Sequence, residues 1–139
     1  MFATRVKHLV SAAVVLTLVG VFVAPMAFGR IVRNTIDPVA IVADNGRHIV
    51  VTGPMACTAR EKAHLRVTVT QRTTGALAEG HTRITCTGGS QQWEIHAATQ
   101  GHEGFQDGPA TAVAVARTTH RGDITDAHQW LVEITLVGE

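Results

Sequence analysis

Seven histidines follow residue 29: His48, His64, His81, His96, His102, His120 and His128. Imidazole is the commonest zinc and copper ligand and titrates near neutrality. Three of these residues, His64, His81 and His96, fall on the polar faces of alternating segments and could share one sheet surface. A metal ion needs nitrogens about 2.0–2.1 Å away, whereas diagonal residues on paired strands stand roughly 7–8 Å apart. The sequence has no H-E-x-x-H and no H-x-H spacing. Histidines on a solvated face are therefore the expectation, and a His-dependent metal-binding protein is the alternative. Outside residues 1–29 there are ten basic and eleven acidic residues. Acidification would carry that charge from −1 toward +6, so a pH-dependent surface interaction is conceivable.

Other chemistries fail on inventory. Past residue 29 the only serine is Ser90, in Gly88-Gly89-Ser90-Gln91, which is a turn and not a G-x-S-x-G elbow. The only lysine there is Lys62, and no G-x-x-x-x-G-K-[ST] phosphate loop exists. Glu103, Asp107, Asp123 and Asp126 lie in expected loops, but nothing in the pattern makes two of them converge. Tyrosine is absent, and Trp93 and Trp130 fall in inward phase, so there is no exposed aromatic platform for sugars. No enzyme, catalytic residue or cofactor is expected. The near-neutral balance gives no sign of nucleic-acid binding.

Residues 117–128 (RTTHRGDITDAH) are the most unusual stretch. They read as a polar loop of mixed charge holding His120, Arg121, Asp123, Asp126 and His128, and loops on a rigid scaffold are where binding tends to reside. Arg121-Gly122-Asp123 is a tripeptide that cell-adhesion receptors recognise, but a Gly-Asp turn has a purely conformational reason to exist. A β-arch whose aspartates cap backbone groups is the plainer account. These five residues are the candidate binding set, and the corresponding function is a secreted effector or inhibitor acting through this loop.

Cys57 and Cys86 are the only cysteines. They are too few for a four-thiolate zinc site and too far apart for a C-x-x-C redox pair. One structural disulfide is expected if the chain enters an oxidising compartment.

That compartment is read from the start of the chain. Met1–His8 is short and basic, Leu9–Val23 is apolar or small, and Pro25 breaks a helix. Ala27-Phe28-Gly29 places small residues before a cut at Arg30. This is the layout of a secretory signal peptide over 1–29. An uncleaved signal anchor over 9–28 is the alternative. Residues 30–36 read as a linker and 37–139 as one domain.

The domain alternates like strands. Asp37–Ala43 and Arg47–Gly53 flank Asp44-Asn45-Gly46, a strong hairpin signal. Ala63, Leu65, Val67 and Val69 alternate with His64, Arg66, Thr68 and Thr70. Further strands are read at 76–86, 92–98, 110–118 and 129–137. Valine and threonine are abundant, and both suit a pleated surface. The register of the third and fourth strands follows from burial. One buries odd positions and the other even ones, so paired residue numbers must sum to an odd value. With Thr73-Thr74 at the turn, His64 faces Arg83, Arg66 faces His81 and Thr68 faces Glu79. The expected architecture is an all-β, antiparallel two-sheet sandwich of about seven strands, preceded by a signal-peptide helix. A small closed barrel is the alternative.

The motifs D-P-V-A-x-V, D-N-G-R-H-x-V-V-T-G-P, C-T-A, L-R-V-T-V-T-Q, C-T-G, W-E-I-H-A, G-P-A and T-D-A-H-Q-W follow one another over residues 37–137. As a set they resemble small, uncharacterised secreted proteins of bacteria with GC-rich genomes, which share an immunoglobulin-like β-sandwich look. The resemblance implies export, one disulfide and a sandwich, and carries no activity or ligand residue. The chain departs from antibody-type domains, because Trp93 follows the second cysteine rather than lying between the two. The function expected is a monomeric, exported, non-enzymatic module. Its partner would be an extracellular protein or surface component, with membrane attachment only through an uncleaved N-terminal segment.

Overall fold

The computed structural model describes residues 31, 32 and 34–139. The leader expected over 1–29 lies outside them. Seven strands follow in order: β1 (Val39–Ala43), β2 (His48–Ala56), β3 (Lys62–Gln71), β4 (Ala76–Thr85), β5 (Ser90–Gln100), β6 (Gly108–His120) and β7 (Asp123–Gly138). Strand formation follows the period-2 pattern. On β3 every odd residue from Ala63 to Gln71 is buried, and the even ones are half-buried or exposed.

The strands close into one barrel in the order β1-β2-β5-β4-β3-β6-β7. The two-sheet sandwich is thereby corrected. Periodicity reports which face of a strand is buried, but not whether the last strand meets the first. Here it does: β1 and β7 pair in parallel, with Val39 opposite Thr135 and Ile41 opposite Val137. Residue size explains why the walls draw together. Sandwich sheets stand about 10 Å apart and need large side chains from both. The inward face of β6 offers only Ala110, Ala112, Ala114, Ala116 and Thr118. On β4 it offers Ala76, Ala78 and Gly80, all buried. Trp93, Leu65, Ile95, Met55 and Leu136 then fill the narrow interior, the small-against-large pattern of tight barrels.

The β3–β4 register is the one the odd index sum requires: His64 opposes Arg83, Arg66 opposes His81 and Thr68 opposes Glu79. The β1–β2 hairpin also forms, with Ala43 opposite His48. Its turn holds Asp44, Asn45 and Gly46 at φ of 51°, 55° and 85°, a left-handed run that asparagine and glycine tolerate. The segment expected as a linker contributes to the core. Ile31 and Ile36 are both buried, and Val32 bridges Ala56.

Cys57 and Cys86 are joined, with Cα atoms 5.3 Å apart. The bond ties the β2–β3 connection to the end of β4. Backbone bonds surround it: the Arg60 N–H donates to the Cys86 carbonyl at 2.9 Å, and the Cys86 N–H donates to the Glu61 carbonyl at 2.8 Å.

Candidate functional site

The loop expected over 117–128 is instead a β-hairpin. β6 runs to His120 and β7 starts at Asp123, leaving Arg121-Gly122 as a two-residue turn. Both turn residues have positive φ, 50° and 86°, as a type I′ hairpin requires. The polarity that suggested a loop belongs to strand residues that meet water. Register slips between Thr118 and Thr119, a bulge that breaks the alternation a sequence reading depends on.

The five candidate binding residues separate into two groups. His120, Arg121 and Asp123 sit at the hairpin tip, with His120 opposite Asp123. Asp126 and His128 lie further along β7 and touch each other, His128 Nε2 to Asp126 Oδ2 at 3.1 Å. Asp126 works on the backbone. Its Oδ2 accepts from the Ile31 N–H at 2.8 Å and its Oδ1 from the Ala127 N–H at 2.9 Å. Burial opposes ionisation of Asp126, yet those two N–H groups and the neighbouring His128 hold its carboxyl below the ordinary 3.8. Aspartate as a backbone cap was therefore legible in the sequence. That its main partner would be the start of the domain was not.

A second cluster is built on the outer face of β3, β4 and β6. His64 lies at its centre, directly opposite Arg83 on β4 and Arg117 on β6. Three cationic or titratable side chains thus form a row across three adjacent strands. Lys62 and Arg66 continue it above and below on β3, because residues two apart share a face. His81 stands opposite Arg66. His64, Arg66, His81, Arg83 and Arg117 line an open depression together with Leu65, Thr82 and Val115, and Lys62 lies beside it on β3. The one carboxylate among the lining residues is Glu79, whose Oε1 meets Arg66 Nη1 at 3.5 Å. Arg66 remains 62% exposed in that pair, so the contact neutralises it weakly. Like charges directly opposite one another destabilise a sheet. The cost is visible at His64: burial first, then Arg83, Arg117 and Lys62, lower its pKa from 6.5.

The sequence already placed His64 against Arg83. It does not place Arg117 in the row: the strand expected over 110–118 contains it, but no local pattern says that this strand lies beside β3. The identity of Arg117 as the outward residue of a continuing β6 alternation was the signal available.

A third cluster lies on β2 and β5. His48 Nε2 meets His96 Nδ1 at 3.0 Å, and His96 Nε2 meets Glu94 Oε1 at 2.5 Å. Below it, Asp37 Oδ2 accepts from Thr52 Oγ1 at 2.6 Å and from Gln92 Nε2 at 2.8 Å. Of the three histidines expected to share a face, His96 is therefore partnered with His48 and not with His64 or His81. No three His, Cys, Asp or Glu residues converge as a metal centre among the described residues.

Compared with known proteins, the chain matches no family model and no curated protein.

Proposed function

We propose that the protein is an exported, non-enzymatic module that holds an anionic polymer against the outer wall of its barrel. The single observation that supports this is the row Arg83–His64–Arg117, extended by Lys62 and Arg66. A domain with nearly balanced charge concentrates five basic or titratable side chains on one face, and the lining of the depression they border holds one carboxylate, the half-buried Glu79. An external anion would offset the repulsion that the row builds in.

The chemistry selects the ligand class. Guanidinium groups bind phosphate and sulfate oxygens in a two-pronged fashion. Outward residues on one strand recur about every 6.6–6.8 Å, so Lys62, His64 and Arg66 present a line of charge rather than a point. The face carries no Phe, Tyr or Trp, so it lacks the large aromatic platforms on which single-stranded nucleic acids stack. A polymer of phosphate or sulfate esters fits that face. Export rests on the basic-then-apolar leader, and the Cys57–Cys86 bond is compatible with it.

Retention of untagged protein on immobilised polyphosphate and on a sulfated polysaccharide tests the proposal and separates the two sources. Wild-type protein should elute late in a salt gradient on at least one of them. The double variant Arg83→Glu/Arg117→Glu should pass through unretained with its circular dichroism unchanged. Arg47→Glu/Arg72→Glu, with the same charge change at two exposed positions away from the row, should keep most of the retention. Equal elution of wild type and the double variant would overturn the reading.

A further inference from the structure

We propose that His48 and His96 chelate one late first-row divalent cation, of the zinc or copper kind, on the outer face of β2 and β5. This site is independent of the cationic row on β3, β4 and β6.

The strand register puts the two rings on one face. His48 pairs with Ala98, and His96 pairs with Val50, so the histidines are diagonal neighbours. Diagonal residues average roughly 7–8 Å apart, but sheet twist shortens one diagonal and lengthens the other. Here the near diagonal brings the ring centroids to 5.2 Å and the facing nitrogens to 3.0 Å. Two nitrogens about 2.0–2.1 Å from one metal ion are separated by about 2.9 Å at a right angle and about 3.4 Å at the tetrahedral angle. The observed spacing lies inside that interval, so the nitrogens need not separate; the metal would sit to one side of the line between them, and the rings turn to point their lone pairs at it.

Protonation is also arranged. Glu94 accepts from His96 Nε2 at 2.5 Å, which leaves the lone pair on Nδ1, the atom facing His48. His48 then donates its Nε2 hydrogen into that lone pair. A cation replaces this hydrogen bond, seated beside the line between the two nitrogens. His48 shifts its proton from Nε2 to Nδ1 through solvent, no proton is gained or lost overall, and both lone pairs face the metal. Glu94 stays outside the coordination sphere and fixes the His96 tautomer, the carboxylate–histidine–metal arrangement seen around many ligating histidines. Water fills the remaining positions. Both imidazoles sit on paired strands rather than on a loop, so the bite is held by the ladder.

Calorimetric titration of untagged protein with Zn2+ and with Cu2+, and with Mg2+ as a hard-cation control, tests the site. The expected result is one equivalent of Zn2+ or Cu2+ and none of Mg2+. His48→Ala and His96→Ala should each abolish it, Glu94→Gln should weaken it roughly 10- to 100-fold, and His64→Ala should leave it unchanged. A second readout needs no variant. Substoichiometric Cu2+ should broaden the imidazole resonances of His48 and His96 before those of any other histidine. Absence of saturable binding, binding unchanged in His48→Ala, or first broadening at another histidine would each overturn the proposal.

Discussion

Gly53 lies directly across from Trp93 in the β2–β5 ladder, and the indole occupies the space that a side chain at position 53 would need. A Cβ there would come within 2.6 Å of the indole ring and would overlap the Thr35 carbonyl oxygen. The pair shows how a narrow barrel accommodates its largest residue, by removing the side chain facing it.

Gly53→Ala should therefore destabilise the protein by about 1–3 kcal/mol, the usual cost of overpacking. Thermal unfolding followed by tryptophan fluorescence reads the change. An unaltered transition would mean that the wall yields at this point.

Removing the disulfide should cost more. The bond spans 29 positions, and loop entropy assigns it about 3.5 kcal/mol, against a total of about 5–10 kcal/mol for such a domain. Cys57→Ala/Cys86→Ala should lower the melting temperature by more than about 10 °C. A reduced wild-type sample should match the variant.

Glu61 is 1% exposed, and neither of its carboxylate oxygens has a hydrogen-bond partner. Burial without a partner costs about 1–3 kcal/mol for a neutral polar group and more for an ionised one. Glu61→Met, with a similar shape and no acceptor, should raise the urea midpoint with an unchanged slope. A lower midpoint would show that the carboxylate does something the packing alone does not require.

Stability should fall on acidification in two stages with different causes. The folded-state pKa of His64 is lowered from 6.5, so the unfolded chain takes up that proton first. The His64 contribution is complete above pH 6.5 and is lost as pH falls from there through the lowered value. Asp126 is also lowered, from 3.8. Its contribution is complete above 3.8 and is lost as pH falls through its folded value. His64→Gln should flatten the first stage and Asp126→Asn the second, measured as urea midpoints across the pH range. Polyphosphate should oppose the first stage in wild type, because a bound anion favours protonated His64.

Local patterning was well written in the sequence, and closure was not. The β3–β4 register followed from which positions are apolar, because slipping one residue would turn Ala63, Leu65, Val67 and Val69 outward. The disulfide partners were identifiable because there are only two cysteines. The parallel pairing of β1 with β7 involves residues almost a hundred positions apart, and no local periodicity encodes it. The bulge at Thr118/Thr119 hid the continuation of β6 to His120, and the long-range pairing of β6 with β3 that sets Arg117 beside His64 has no local signature. The His48–His96 contact depends on which diagonal the twist shortens, a three-dimensional property with no counterpart in spacing.

The seam between the first and last strands has a kinetic meaning. β1 rests on Thr135–Gly138, and the Glu139 N–H reaches back to the Val42 carbonyl at 3.0 Å. The barrel cannot shut until Thr135–Gly138 have arrived. Contacts this distant in sequence form slowly, because the entropy of bringing them together must be met before they contribute. Until then β1 and β7 both present open edges, which are templates for pairing between chains. Loss of Thr135–Glu139 should leave those two edges open, so this short segment separates a closed barrel from a sheet primed to pair with other chains.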